Sequence, residues 1–286
     1  MKIAAPAKIN LRLEVLGQLG NGYHLLRMFN LTVSLTDELE IKLIPKGIEI
    51  ETDDQSLPAG AGNTVYRAAA YLQKKFAREF GVRVRIQKRI PAGAGLGGGS
   101  SDAAAALRWL MAELGLDPAR LDLEELAYEV GADVPYLLKG GPAWVEGIGE
   151  RIEPVLGFPA MHYLLVKPGL GSSTREVYQA LGPRPDLTIT PKAAILGAFT
   201  GGNWKDFCVN QLEPVVFSRH RSLEKLKSEL IRLGAAAAVM SGSGSSLVGI
   251  FSTREQAEKG EREILKLQPE LWVRAVEECQ PGAARK

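Results

Sequence analysis

The segment from residue 91 to residue 103 limits the possible folds of this chain more than any other part of the sequence. It places five glycines within positions 93–99 and follows them with two serines and an alanine-rich stretch. Because glycine has no Cβ, such a loop can adopt positive φ angles and direct several N–H groups toward one point. A helix that begins directly after the loop adds unpaired N–H groups and the positive end of its dipole. The segment therefore predicts an anion site that holds nucleotide phosphates.

Length, charge and cysteine content narrow the class of protein. The 286 residues suffice for one large domain or two ordinary ones, and 45% hydrophobic with 24% charged residues is typical of a globular protein. A net charge of +2 gives no reason to expect a nucleic-acid partner. Cys208 and Cys279 lack disulfide or metal-ligand spacing, and no signal peptide or membrane span is visible. We therefore expect a cytoplasmic protein with no membrane partner.

Hydrophobic periodicity predicts a mixed α+β chain, with a break near residues 154–159 and glycine-rich turns at 140–149. The predicted strands lie at 9–15, 39–43, 82–86, 163–166, 247–251 and 272–276. The predicted helices lie at 63–80, 101–114, 123–130, 192–200, 223–233 and 255–267. The glycine segment therefore joins a strand to a helix.

Three kinds of nucleotide-binding loop compete for the glycine segment. A Walker A loop needs a lysine before its closing hydroxyl, and residues 99–101 are Gly-Ser-Ser. Gly93, Gly95 and Gly98 match a dinucleotide-binding loop, which leaves an NAD(P)-linked oxidoreductase open, although Asp117 lies in a turn and not at a strand end. A protein-kinase loop is excluded because no catalytic-loop or metal-binding motif of that class follows. The third kind depends on more of the chain.

Three motifs occur in a characteristic order at residues 6–11, 91–106 and 240–246. The first reads Pro-Ala-Lys-Ile-Asn-Leu, the second is the glycine segment with its alanine-rich exit, and the third reads Met-Ser-Gly-Ser-Gly-Ser-Ser. Together they resemble the GHMP kinase superfamily of small-molecule kinases. The segments at 21–24, 131–135 and 147–150 resemble the branch of that family that acts in non-mevalonate isoprenoid biosynthesis.

The resemblance implies an α+β, two-domain GHMP kinase fold. We expect an N-terminal, ATP-binding domain at 1–156, similar to ribosomal protein S5 domain 2, with a left-handed β-α-β crossover. A ferredoxin-like C-terminal domain is expected at 157–286, with the active site in the cleft between the two. The implied reaction transfers the γ-phosphoryl group of ATP to the 2-hydroxyl of a methylerythritol that carries a cytidine diphosphate. A GHMP kinase for mevalonate, homoserine or a sugar is the alternative, and a catalytically inactive nucleotide-binding regulator is disfavoured.

The same resemblance assigns the catalytic and donor residues. Lys8 and Asp133 are the expected catalytic pair, with Asp133 as the general base and Lys8 keeping it ionised. Lys88 is expected to bind ATP, and the alternative is a strand lysine that faces solvent. Residues 241–246 are expected to form either a tight hairpin or a brace for the glycine segment. Mg²⁺ is expected with ATP, but no acidic cluster reserves a metal site. The residues expected to bind ATP are Asn63, Lys88, Pro91, Ala92, Gly93, Ala94, Gly95, Leu96, Gly97, Gly98, Gly99, Ser100 and Ser101.

The acceptor residues follow from the substrate that the resemblance implies. A cytosine needs an aromatic face and a hydrogen-bonding edge, which Tyr23 and His24 can supply. Tyr178 is expected to close the sandwich from the other side, with a buried core tyrosine as the alternative. Asn10 and Thr174 are expected to contact the methylerythritol arm. A monomer or a homodimer is expected.

Overall fold

The computed structural model describes residues 1–171, 173–182 and 190–279. Its strands are β1 (Lys2–Gln18), β2 (His24–Ile44), β3 (Ile48–Thr52), β4 (Gly81–Gln87), β5 (Ala143–Gly147), β6 (Arg151–Pro154), β7 (His162–Lys167), β8 (Val209–Asn210), β9 (Ala237–Met240), β10 (Leu247–Phe251) and β11 (Trp272–Glu277). Its helices are α1 (Thr64–Phe76), α2 (Gly98–Leu114), α3 (Leu123–Glu129), α4 (Val134–Lys139), α5 (Thr174–Leu181), α6 (Lys192–Thr200), α7 (Trp204–Phe207), α8 (Glu213–Arg219), α9 (Arg221–Arg232) and α10 (Arg254–Leu267).

The first sheet is built around a long antiparallel hairpin of β1 and β2. Strand order is β3-β4-β2-β1-β8, and β5 adds to β2 and carries β6. Strand β1 has 17 residues, whereas periodicity predicted a strand of seven. The prediction was too short because residues 5–15 are all buried, and apolar and polar residues do not alternate at the ends of this stretch. The pairing register of β1 with β2 also shifts between Asn10 and Arg12. After such a shift, the inward-facing side chains change from every even to every odd residue, or the reverse.

A parallel β-α-β unit lies next to this hairpin. Strands β3 and β4 pair in parallel, with α1 connecting them. The glycine segment then leaves β4 and enters α2, and the next strand, β5, pairs antiparallel with β2. No parallel β-α-β unit therefore encloses the glycine segment within the described residues. The dinucleotide-binding alternative is wrong, because that fold requires such a unit.

The second sheet has the order β11-β7-β10-β9, with every neighbouring pair antiparallel. Numbered along the chain, this order is 4-1-3-2, and α9 precedes β9 while α10 lies between β10 and β11. This is the β-α-β-β-α-β arrangement of a ferredoxin-like domain, as predicted.

The two halves interlock along β1. The chain leaves the first sheet after β6 and enters the second at β7, yet β8 returns to pair in parallel with β1 at Arg12 and Leu13. Asn210 of β8 donates its side-chain amide to the carbonyls of Met240 and Gly242, 2.7 and 2.8 Å away. Strand β8 therefore belongs to the second half of the chain but pairs within the first sheet. The domain boundary at residue 156 stays a prediction.

Several boundaries differ from the prediction for local reasons. Helix α1 ends at Ala77, which adopts a left-handed conformation with φ 47°, and does not reach residue 80. Helix α2 begins at Gly98, three residues early, because Gly97 with φ 69° serves as its cap. Residues 140–149 contain β5 as well as turns. Among the residues described, no helix combines the length and apolar character that crossing a membrane requires.

Candidate active site

A cavity of about 1130 Å³ opens between the two halves. It is lined by the start of β1, the β1–β2 turn, the glycine segment, the turn before α4, helix α5 and the loop after β9. Asn63 and Ser101 are the two predicted site residues outside this lining. The predicted residues that line it are Lys8, Asn10, Tyr23, His24, Lys88, Pro91, Ala92, Gly93, Ala94, Gly95, Leu96, Gly97, Gly98, Gly99, Ser100, Asp133, Thr174 and Tyr178.

The glycine segment presents the N-terminus of α2 to the cavity. Gly93, Gly95 and Gly97 have φ angles of 61°, 75° and 69°, a region that favours glycine. No side chain caps the first turn of the 17-residue helix α2, and Gly98, Gly99 and Ser100 line the cavity. The N–H groups of a first turn have no partner within the helix. This end of the cavity is therefore suited to an anion.

The loop after β9 braces the glycine segment. The Ser241 hydroxyl donates to the carbonyl of Gly95 at 2.9 Å, and the Ser246 N–H donates to the carbonyl of Ala94 at 3.2 Å. A Cβ at Gly95 would lie 2.2 Å from the Ser241 carbonyl oxygen, so only glycine fits there. Residues 241–246 also connect β9 to β10. They are both the hairpin and the brace that the sequence left as alternatives.

Lys8 and Asp133 both line the cavity and face each other there. The Nζ atom of Lys8 lies 3.5 Å from Oδ1 of Asp133 and donates to Oδ1 of Asn10 at 2.7 Å. Lys8 is 4% exposed, and its N–H donates to the carbonyl of Leu96 at 3.0 Å, which ties β1 to the glycine segment. A Cβ at Gly97 would lie 2.9 Å from Cγ of Lys8. The lysine is therefore held in place on several sides.

A second glycine turn positions Asp133 at the start of α4. Gly149 has φ 126°, and a Cβ there would lie 2.1 Å from the carbonyl oxygen of Ala132. The same turn is closed by Glu150, whose carboxylate accepts from the N–H of Ile148 at 2.7 Å. The Asp133 side chain keeps 28% exposure, directed into the cavity that it lines. The segment at 147–150 thus supports the peptide that carries the carboxylate.

Lys88 has a role that the sequence did not predict. Its ammonium group forms ion pairs with Asp37 and with Asp102, the latter at 2.7 Å. Asp37 is fully buried and also accepts from the N–H groups of Arg89 and Ile90, at 2.5 and 2.8 Å. Burial raises the pKa of Asp102 to about 7. The lysine charge is therefore compensated, and this cluster anchors the glycine segment to β2 and α2.

Asn63 and Ser101 serve local structure. Asn63 caps α1, because its Oδ1 accepts from the N–H of Val65 at 2.8 Å, and its amide donates to the Pro58 carbonyl at 2.8 Å. The Ser101 hydroxyl is buried and donates to the carbonyl of Pro6 at 2.6 Å. Their contacts with ATP stay predictions that these hydrogen bonds do not favour.

Thr64 is a cavity residue that sequence reasoning missed. It follows the Asn63 cap, lines the cavity, and donates its hydroxyl to the Gly99 carbonyl at 2.6 Å. Hydroxyl side chains are common at helix starts because they cap the helix. The position of Thr64 in the sequence therefore does not indicate a functional role.

Aromatic side chains gather where the β1–β2 turn and α5 line the cavity, which we call its aromatic end. The rings of His24 and Tyr178 stack with centroids 4.8 Å apart and planes at 28°. The ring of Tyr23 meets Tyr128 of α3 edge-on, at 4.8 Å and 80°. Burial lowers the pKa of His24, which favours a neutral imidazole with one donor and one acceptor. The sandwich between Tyr23 and Tyr178 stays a prediction, and Tyr128 packs against Tyr23 from outside the cavity lining.

Polar side chains connect the two ends. Asn10 holds Lys8 with its oxygen and donates its amide to Oδ1 of Asn30 at 2.6 Å, so it positions the lysine. The hydroxyls of Thr174 and Ser243 lie 2.8 Å apart, which joins α5 to the loop after β9. All four predicted regions therefore meet in one cavity: a helix end suited to an anion, a lysine–carboxylate pair, hydroxyl and amide groups, and the aromatic end.

Comparisons with known proteins agree with this arrangement. Residues 63–141 match the family model described as the GHMP kinases N terminal domain, and residues 194–269 match that described as GHMP kinases C terminal. A 4-diphosphocytidyl-2-C-methyl-D-erythritol kinase of Acetivibrio thermocellus is 39% identical over 90% of this chain and 92% of its own length. One from Citrifermentans bemidjiense is 41% identical over 93% of this chain and 95% of its own length.

Solved structures show the same fold. A crystal structure of a 4-(cytidine 5'-diphospho)-2C-methyl-D-erythritol kinase superposes with a TM-score of 0.79 and 35% identity, covering 98% of this chain and all of the other. A homoserine kinase from Cytophaga hutchinsonii superposes with a TM-score of 0.73 at 20% identity, covering 98% of this chain and 95% of the other. The predicted two-domain GHMP kinase fold is confirmed.

Proposed function

The chain belongs to the GHMP kinase family, among the 4-diphosphocytidyl-2-C-methyl-D-erythritol kinases, and we propose from this how its cavity works. The enzyme transfers the γ-phosphoryl group of ATP to the 2-hydroxyl of 4-diphosphocytidyl-2-C-methyl-D-erythritol, a step of non-mevalonate isoprenoid biosynthesis. The products are ADP, the 2-phosphate of the acceptor and a proton. The observation that carries the proposal is one cavity with an anion-binding helix end, an aromatic end, and Lys8 with Asp133 between them.

ATP is the phosphoryl donor of this family, and the glycine segment is the expected place for its phosphates. The first turn of α2 offers unpaired N–H groups there, and the positive end of its dipole favours negative charge. The brace from Ser241 and Ser246 keeps these groups in place before ATP arrives. Preorganised donors of this kind stabilise the charge that develops on a transferring phosphoryl group.

Asp133 is proposed to accept the proton of the attacking hydroxyl. Its carboxylate is partly exposed to the cavity, and its Oδ1 lies 3.5 Å from the Nζ atom of Lys8. The oxygen of the acceptor attacks the γ-phosphorus, the bond from that phosphorus to the leaving ADP oxygen breaks, and the proton passes to Asp133. Lys8 neutralises part of the charge on the phosphoryl oxygens during transfer.

The aromatic end is proposed to bind the cytosine. Tyr23 and Tyr178 can offer ring faces for stacking, and neutral His24 can hydrogen-bond the edge of the base. Mevalonate, homoserine and simple sugars have no base, so an enzyme for them has no use for these rings. This is the physical reason for preferring a cytidylated acceptor over the other substrates of the family.

Mg²⁺ is proposed to accompany ATP. Mg²⁺ commonly binds substrate phosphates with only one or two protein oxygens, and no cluster of three metal-binding side chains occurs among the described residues. The Ser100 hydroxyl lines the cavity at the first turn of α2 and fits that demand as an oxygen donor. When bound, the ion would neutralise phosphate charge. We further propose a cytoplasmic enzyme, active as a monomer or homodimer, that meets small molecules only.

The test is an assay of ADP release with separate acceptors. The account predicts ATP-dependent turnover with 4-diphosphocytidyl-2-C-methyl-D-erythritol and background rates with mevalonate or homoserine. Turnover on mevalonate or homoserine without turnover on the cytidylated acceptor would overturn the proposed function. Methylerythritol without its cytidine diphosphate serves as the matched control, because it keeps the reacting hydroxyl and removes the base and the diphosphate.

A further inference from the structure

The cavity receives two anionic substrates, yet most of its charged side chains already have partners. Lys8 faces Asp133 at 3.5 Å. Lys88 lies between Asp37 and Asp102, with its Nζ 2.7 Å from the latter. These two lysines therefore face three carboxylates, so little of their positive charge remains for the phosphates of the acceptor. The phosphates of the acceptor need positive charge from another group.

Arg175 is that group. It lies on the first turn of α5 and lines the cavity, and its side chain is exposed. Within the described part of the chain it is the cavity-lining cation that has no carboxylate within ion-pair distance. A guanidinium group is the side chain best suited to bind phosphate through two parallel hydrogen bonds.

The position of α5 indicates which phosphates Arg175 meets. Thr174 contacts Ser243 at 2.8 Å, and Tyr178, one helical turn later, stacks on His24 at the aromatic end. The cavity-lining residues of α5 are Thr174, Arg175, Tyr178 and Gln179. Residues at this spacing share one face of a helix. The face thus extends from the loop after β9 toward the place proposed for the base.

We propose that Arg175 binds the diphosphate of the acceptor. In that acceptor the diphosphate connects the base to the alcohol that reacts. A molecule with its base at the aromatic end and its hydroxyl at Asp133 therefore carries its diphosphate along the α5 face. This inference rests on the proposed function. The ATP phosphates lie at the other end of the cavity, on the first turn of α2, and do not depend on Arg175.

Arg175→Gln and Arg175→Lys test the proposal, with Arg254→Gln as a matched control on the exposed helix α10, where Arg254 pairs with Glu258 at 2.7 Å. Charge-assisted hydrogen bonds are strong, so Arg175→Gln is expected to raise the acceptor KM about 10- to 100-fold while the ATP KM stays within about twofold. Arg175→Lys should recover part of the loss. Arg254→Gln should match the wild type.

Binding of CDP and of cytidine, measured by calorimetry on the same proteins, completes the test. CDP should bind Arg175→Gln more weakly than the wild type, and cytidine should bind both alike. Equal CDP affinity, or a rise in the ATP KM in place of the acceptor KM, overturns the role of Arg175. If the wild-type enzyme turned over only mevalonate or homoserine, the proposed function would be wrong. In that case, CDP binding that still depended on Arg175 would show that Arg175 binds phosphate even so.

Discussion

The two ends of the cavity are built in different ways. The donor end consists of backbone: three glycines at positive φ, a helix start without a side-chain cap, and a brace of hydrogen bonds from residues 241–246. The acceptor end consists of side chains from β1, β2, α3 and α5 that contact one another across long sequence separations. We propose that the backbone site binds the phosphates of ATP and that the side chains select the acceptor. Substitutions should therefore separate donor effects from acceptor effects.

The largest effect is expected where the two ends meet. Asp133→Asn keeps the shape of the side chain but cannot take the proton of the hydroxyl, so kcat should fall about 10²- to 10⁴-fold. ATP affinity, measured by calorimetry, should change by less than about twofold, since the phosphates lie on α2. Asp117→Asn, the same substitution in an exposed turn, should leave kcat unchanged. Near-normal turnover by Asp133→Asn would remove Asp133 from the reaction.

Gly95→Ala tests the rigidity of the donor end. The added Cβ would lie 2.2 Å from the Ser241 carbonyl at a φ of 75°, so the loop and its brace must separate. We expect the free energy of unfolding to fall by about 2–4 kcal/mol, together with a higher ATP KM. Gly93→Ala is the matched control, because φ is also positive but a Cβ meets nothing within 4 Å, and about 1–2 kcal/mol is expected. Equal losses in urea denaturation would contradict the brace.

Tyr178→Leu tests the acceptor end. Loss of the ring should raise the acceptor KM about 10- to 100-fold, because stacking on a base contributes about 1–3 kcal/mol, while the ATP KM stays the same. Tyr178→Phe keeps the ring and should resemble the wild type. If both variants changed the ATP KM and spared the acceptor KM, the division of the cavity into two ends would be wrong.

Asp102 offers a test through the pH dependence of stability. Burial raises its pKa from 3.8 to about 7 in the folded protein, so the folded state binds more protons than the unfolded state between those values. Its contribution to the free energy of unfolding therefore falls as pH rises from about 4 to 7. Asp102→Asn removes this loss, so the variant should gain stability relative to the wild type as pH rises. If the difference in melting temperature between Asp102→Asn and the wild type were constant from pH 5 to 8, this role of Asp102 would be contradicted.

The donor end was readable from sequence because its signal is local. Glycines at fixed spacing between a strand and a helix indicate an anion site, and the structure places Gly93 to Ser100 along the cavity. The pairing of Lys8 with Asp133 came from resemblance to a family, since 125 residues separate them and no periodicity connects them. The ferredoxin-like half also came from that resemblance, since strand β9 was not among the predicted strands.

Long-range side-chain partners were not readable. Asp37, Lys88 and Asp102 come from β2, from the residue after β4 and from α2, and only the tertiary structure brings them together. The one signal for this cluster in the sequence was Asp102, a carboxylate in an otherwise alanine-rich helix. A carboxylate is buried in such a helix only when it has a partner of opposite charge. The pairing of β8 with β1 was equally hidden, since a two-residue strand has no periodicity.

A crystal structure with the cytidylated acceptor and a non-hydrolysable ATP analogue tests the central claim most directly. The account predicts the analogue phosphates on the first turn of α2, the cytosine among Tyr23, His24 and Tyr178, and the 2-hydroxyl within hydrogen-bond distance of the Asp133 carboxylate. A base bound at the glycine segment, or a hydroxyl remote from both Lys8 and Asp133, would contradict it.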